Sequence, residues 1–283
     1  MVKKNNYAHL RDKWISHHKK LQTSLWEKHG EVLRHFTAGS LGGLLLLSSP
    51  AMVSLPTPQL LLAEGKIVKD IGKDMFLVTD LSHLLPEDVR PLTLVQEEKI
   101  GDLLSKQFGF KVSARLDGKR LNRSYGFIGA EQHLTLYPGD NMDLHILATQ
   151  SSPEFYSSGM APGLGAWGYF VRSQEELTDS DRLREKYYIA VQTFLAPDFN
   201  NRVGEYRDFF KYRKMLVVNP QNGRAVVTDI ADAGPSPWTG KHLGGSPEVM
   251  NYLERFDGAQ KGAVLYFFID DPKNNVPLGP VKI

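Results

Sequence analysis

Between residues 215 and 269 short apolar runs alternate with clusters of turn-forming residues. Met215-Leu216-Val217-Val218 leads into Asn219-Pro220-Gln221-Asn222-Gly223, and Ala225-Val226-Val227-Thr228-Asp229-Ile230 resumes the apolar pattern. Two β-branched runs around an Asn-Gly pair predict a hairpin, because these residues tolerate the positive φ of a tight turn. Asp232-Ala233-Gly234-Pro235 then breaks the second run. Ser246-Pro247-Glu248 reads as a helix start, with a capping hydroxyl, a proline at the first helical position and an acid in the first turn. The run from Val264 to Ile269 predicts a buried strand.

Upstream, residues 94–108 predict an amphipathic helix, with Leu94, Ile100, Leu103, Leu104 and Phe108 on one face and Gly109 as its stop. Alternation over residues 110–116, an Asp117-Gly118 turn and a resumption from Leu121 predict a second hairpin. Together these make a small α+β unit over residues 57–150. Residues 151–158 read as a linker, and a helix is expected over residues 180–194, followed by a shorter segment carrying Tyr206, Phe209, Phe210 and Tyr212.

Charge changes the picture at the N-terminus. Residues 1–35 are a basic leader, and no charged residue occurs from Phe36 to Ala63. A bilayer span needs about 20 mostly apolar residues. Residues 36–56 therefore read as a membrane anchor or signal segment, interrupted by Ser48-Ser49-Pro50, and the basic flank places the N-terminus in the cytoplasm. A buried amphipathic helix is the other reading. Over the whole chain 34 basic and 32 acidic residues leave a net charge of +2, which selects no partner. The chain has no cysteine, so disulfides and thiolate metal sites are excluded.

The ordered set Asn222-Gly223-Arg224, Asp232-Ala233-Gly234-Pro235 and Ser246, ahead of a closing strand, resembles the core of the double-psi β-barrel in the rare lipoprotein A family. Expansins and membrane-bound lytic transglycosylase A share that barrel. The resemblance covers the chain from Met215 onward and reaches back loosely to Gly159, where Trp167 and Tyr169 follow a glycine-rich run. It implies an α+β protein: a C-terminal double-psi β-barrel over residues 151–283 with a helical insertion, after the small α+β unit and the leader. It also implies a cell-envelope protein that acts on or binds peptidoglycan or another polysaccharide, without a cofactor.

The family carries its acid/base aspartate immediately before a Leu-Ser pair, and here that position is Gly244. Glycine can neither protonate a glycosidic oxygen nor take a proton. Asp232 and Asp229 are then the candidate catalytic carboxylates, with Glu248 nearby; otherwise the barrel binds without cutting. Asp232 ends an apolar run beside a rigid Gly-Pro turn, and a partly desolvated carboxyl there has a raised pKa. An aspartate before x-Gly-Pro also serves simply to hold its own loop. Trp167, Tyr169, Trp238, Thr239, Lys241, His242 and Ser246 are the candidate substrate-binding residues.

Two other chemistries compete with this one. His133, His145, Asp140 and Asp143 are potential metal ligands, but their spacing follows no metal pattern, so no metal is expected. Lys211, Arg213 and Lys214 beside Phe209, Phe210 and Tyr212 mix basic and aromatic residues, but the run is too short to predict a nucleic-acid partner.

Overall fold

The computed structural model describes residues 75–255 and 261–282, so the basic leader and the charge-free segment 36–56 lie outside the described residues. Among the described residues, no helix is long and apolar enough to cross a membrane.

After a helical stretch over residues 75–84, α1 (Leu94–Phe108) begins with a capping box between Thr93 and Gln96. Its buried face is Glu97, Ile100, Gly101 and Leu104. Leu94, expected on that face, is exposed, and Glu97 takes the buried position because Arg120 and Ser124 both donate to its Oε1. β1 (Val112–Ser113) follows, then β2 (Arg115–Leu116) and β3 (Lys119–Arg120) form a tight hairpin. Asp117 and Gly118 turn it, both with positive φ.

The chain continues through β4 (Tyr125–Ala130), α2 (Met142–Thr149), α3 (Asp179–Lys186), β5 (Tyr188–Val191) and α4 (Val203–Phe210). β6 (Lys214–Val218), β7 (Ala225–Ala233), β8 (Leu243–Gly245), α5 (Pro247–Tyr252), β9 (Lys261–Ile269) and β10 (Gly279–Val281) complete it. The helix expected over residues 180–194 is a correction. α3 stops at Lys186, and Tyr188-Ile189-Ala190-Val191 is a strand buried along its whole length. A four-residue apolar run fits either period, and here pairing on both sides decides for strand.

Six strands close a barrel. β4 pairs with β9, β9 with β6 and β6 with β7, all antiparallel. β7 runs parallel to β5, β5 antiparallel to β8, and β8 parallel to β4, which closes the ring. The expected strands at 215–218, 225–230 and 264–269 are all in it, and Ser246 caps the short helix between the second and third. β4 comes from the segment read as part of the small α+β unit, so residues 125–130 share the barrel's sheet.

Alternation sorts the two faces. Val217, Val226, Ile230, Leu243, Val264, Tyr266 and Phe268 fill the interior with Ile128 and Ile189. Leu216, Val218, Val227, Leu265 and Phe267 point outward, under α1 and the preceding helical stretch. Strands buried on both faces read as unbroken apolar runs, which is the pattern of β6 and β9.

Candidate functional site

The face of interest lies outside the barrel, over β4, β8 and β5. Gly129 is in register with Gly244, and Gly244 with Ala190. A Cβ on Gly245 would meet Ile128, Val249 and Met250 inside the barrel, so Gly244 faces out. A Cβ on Gly244 would fall within clashing distance of Glu131 Cγ, Cδ and Oε1. The Glu131 side chain therefore occupies the space that a side chain at 244 would take. It arrives from the neighbouring parallel strand, because Glu131 follows β4 directly and its N–H donates to Gly245 O at 2.9 Å.

Lys241 Nζ fixes this carboxylate, donating to Glu131 Oε1 and to Ala130 O, both at 2.9 Å. Glu131 Oε2 takes no hydrogen bond from the described residues. Glu131 was missed as a candidate at the sequence level. The signal that could have found it is a carboxylate just past a glycine-containing strand, but the β4–β8 pairing that gives it meaning is not local.

Asp232 shares this outer face through a bulge. Ile189 pairs with Ile230 but Ala190 with Asp232, so β7 carries an extra residue, Ala231. A bulge of this kind re-aims the side chains after it. Asp232 Oδ1 accepts from Ala166 N–H at 2.6 Å and Ala233 N–H at 2.7 Å. Burial pushes its pKa up and the two backbone donors pull it back, leaving it raised. Burial, and after it the charges of Glu185, Glu131, Asp232 and Glu248, raise the pKa of the Tyr188 hydroxyl.

The other candidates divide. Gln192 Nε2 donates to Pro235 O and Lys241 O, clamping both ends of the loop that presents Trp238 and Thr239. Trp238 is 85% exposed, and Tyr169 is exposed as well. Trp167 is half-buried; its Nε1 donates to Ile230 O and its ring packs against the barrel core. His242 Nδ1 accepts from Phe127 N–H at 3.0 Å. Burial, aided by Arg123 and Lys261, lowers its pKa to about 4. Ser246 is fully buried, capping α5 and donating to Lys186 O.

Asp229 lies apart from this face. It is buried and pairs with Arg184 Nε at 3.3 Å, while its Oδ1 has no partner among the described residues. It lines a cleft of about 370 Å³ with Arg184, Tyr212, Lys214 and Asp271. Burial raises its pKa to about 6 against the pull of Arg184 and Lys214.

Of the four potential metal ligands, His133, His145 and Asp140 come together, and Asp143 does not. Asp143 is exposed, in the first turn of α2. Glu185 of α3 takes its place, hidden at the sequence level inside a charged helical stretch. His133 Nδ1 lies 3.1 Å from Glu185 Oε1, His145 Nε2 lies 3.1 Å from Glu185 Oε2, and His145 Nδ1 lies 2.9 Å from Asp140 Oδ2. Burial disfavours charge on His145, but the neighbouring Asp140 and Glu185 carboxylates outweigh it and raise its pKa. Glu185 is shifted the other way, its burial outweighed by the two imidazoles.

Searches of protein-family models, of characterised proteins and of solved structures find no match to this chain. What defines it is therefore its own architecture: a closed six-stranded barrel of mixed strand direction, with a lysine-held carboxylate on its outer face.

Proposed function

We propose that this protein is a cell-envelope barrel of the double-psi type that acts on, or binds, peptidoglycan or a related polysaccharide strand. The observation that carries the reading is Glu131 in the space above Gly244. The resemblance puts an acid/base carboxylate at 244, and this chain delivers one there from the adjacent strand. Lys241 takes up one oxygen, and the other remains for a sugar hydroxyl or a glycosidic oxygen. Trp238 and Tyr169 offer apolar ring faces to pyranose rings, and Lys241 and Thr239 add polar contacts beside them. In a lytic reaction the carboxyl protonates the leaving oxygen and then accepts a proton.

The strand order supports the double-psi assignment, since two parallel pairs and four antiparallel pairs close one six-stranded ring. One observation favours Asp229 as the proton donor instead: it lines a cleft, and burial raises its pKa to about 6.

The deciding experiment incubates the full-length protein with purified peptidoglycan and scores both sedimentation with it and release of soluble fragments. The expected result is binding, with fragment release lost in Glu131→Gln and kept in Asp229→Asn. The reverse pattern moves the chemistry to the cleft. Binding without release in the unaltered protein makes the barrel a glycan binder, and neither binding nor release overturns the glycan reading. The envelope location is tested by a cytoplasm-only reporter fused after Gln150, which is expected to stay silent.

A further inference from the structure

The cluster behind the outer face has a different chemistry. His133, His145 and Glu185 come from three separate places: the segment after β4, α2 and α3. None has measurable solvent exposure. Each offers one ligand atom, and these atoms all lie within 4.8 Å of one another. His145 Nε2 and Glu185 Oε2 are 3.1 Å apart, yet neither is aligned for a hydrogen bond with the other or with any described group. Two buried polar atoms that approach without pointing at each other are costly unless a third party satisfies both.

We propose that His133, His145 and Glu185 bind a divalent first-row metal ion of the zinc class. Ligands at 2.0–2.1 Å from a tetrahedral ion lie about 3.3 Å apart. Glu185 approaches both imidazoles near that spacing, one with each oxygen. Two imidazoles and a carboxylate suit zinc and its neighbours better than magnesium or calcium, which take all-oxygen shells.

The outer contacts of His145 and Glu185 fit the same role. A metal-bound imidazole ordinarily gives its remaining N–H to a carboxylate, which fixes the ring. His145 Nδ1 does so to Asp140, and Asp140 is itself held by Leu136 N–H at 2.9 Å. Glu185 Oε1 is held by Leu134 N–H at 3.1 Å. Glu248 accepts from Ser151 Oγ, and its pKa is raised by burial and by the Glu185 charge. Three carboxyl groups, Asp140, Glu185 and Glu248, thus belong to the surroundings of the two imidazoles.

The site has no solvent face, so the ion is structural. It ties the segment after β4 to α2 and α3, and so fixes the chain two residues beyond Glu131. The inference is independent of what the outer face binds.

The test uses the purified full chain, stripped with chelator and reloaded with Zn²⁺ or Co²⁺. About one equivalent of bound metal, a higher melting temperature on reloading and visible cobalt absorption bands are expected. Zinc-edge X-ray absorption should report two imidazoles in the first shell. Glu185→Gln and His145→Gln should lose the bound ion. Where either fails to fold, the absorption spectrum of the unaltered protein decides alone. No retained metal with an unchanged melting temperature overturns the proposal, as does zinc bound without imidazole ligation or equally by a folded Glu185→Gln protein.

Discussion

Glu131 and His133 are two residues apart, and the chain between them crosses from one electrostatic regime to another. Glu131 lies on the outer face with a single counter-ion, Lys241, and keeps 28% of its side chain in solvent. His133 lies inside, against Glu185 and near His145, with no exposure at all. Water screens the first pair, so it is worth roughly 0–1 kcal/mol to the fold. Removing one member of a buried set leaves the others charged and unpaired, which costs about 3–5 kcal/mol. A carboxylate near water can be given over to a ligand. One in the interior is committed to holding the structure.

The largest test of that contrast sets Glu185→Ala against Glu131→Ala in denaturant unfolding. Glu185→Ala is expected to lose about 3–5 kcal/mol, and Glu131→Ala no more than about 1 kcal/mol. Equal losses would erase the distinction.

The next concerns the space above Gly244. Gly244→Asp forces a side chain into the volume held by Glu131 and is expected to cost about 1–3 kcal/mol. Combining it with Glu131→Ala should recover most of that loss, because the two side chains compete for one place. Simple addition of the two losses would mean that they do not.

A smaller effect should follow pH. His242 is kept neutral in the fold, with its pKa lowered to about 4 from 6.5. A depressed histidine contributes stability that is complete above the unfolded pKa and falls as pH drops from 6.5 toward 4. Protonation also removes the acceptor for Phe127 N–H and so loosens the Trp238 loop. His242→Gln should flatten the melting temperature over this window, and an unchanged profile would disprove the assignment. The smallest change in stability belongs to Trp238→Ala, which should melt with the unaltered protein yet sediment less with peptidoglycan.

Legibility in the sequence followed locality. The 225–230 strand, the Asp117-Gly118 turn and the Ser246 cap were readable because each is fixed by neighbouring residues. Tyr188–Val191 was misread because the residues that make it a strand, Asp229–Ala233 and Leu243–Gly245, are far along the chain. The same distance hid Glu131, whose position matters only because Gly129 pairs with Gly244. The histidine cluster was half visible. His133, His145 and Asp140 lie within one short stretch, whereas Glu185 enters from a separate, charge-rich helix that no local signal connects to them.

The order in which the barrel closes also bears on how the chain is made. β4 has β8 and β9 as its neighbours in the ring, and β5 has β7 and β8, so both wait for strands that emerge later from the ribosome. Until β9 is out, the ring has a gap between β4 and β6 with unpaired edges on both sides. Such edges are templates for aggregation. A chain halted before Lys261 therefore cannot close the barrel, and its own sticky edges would expose it as unfinished.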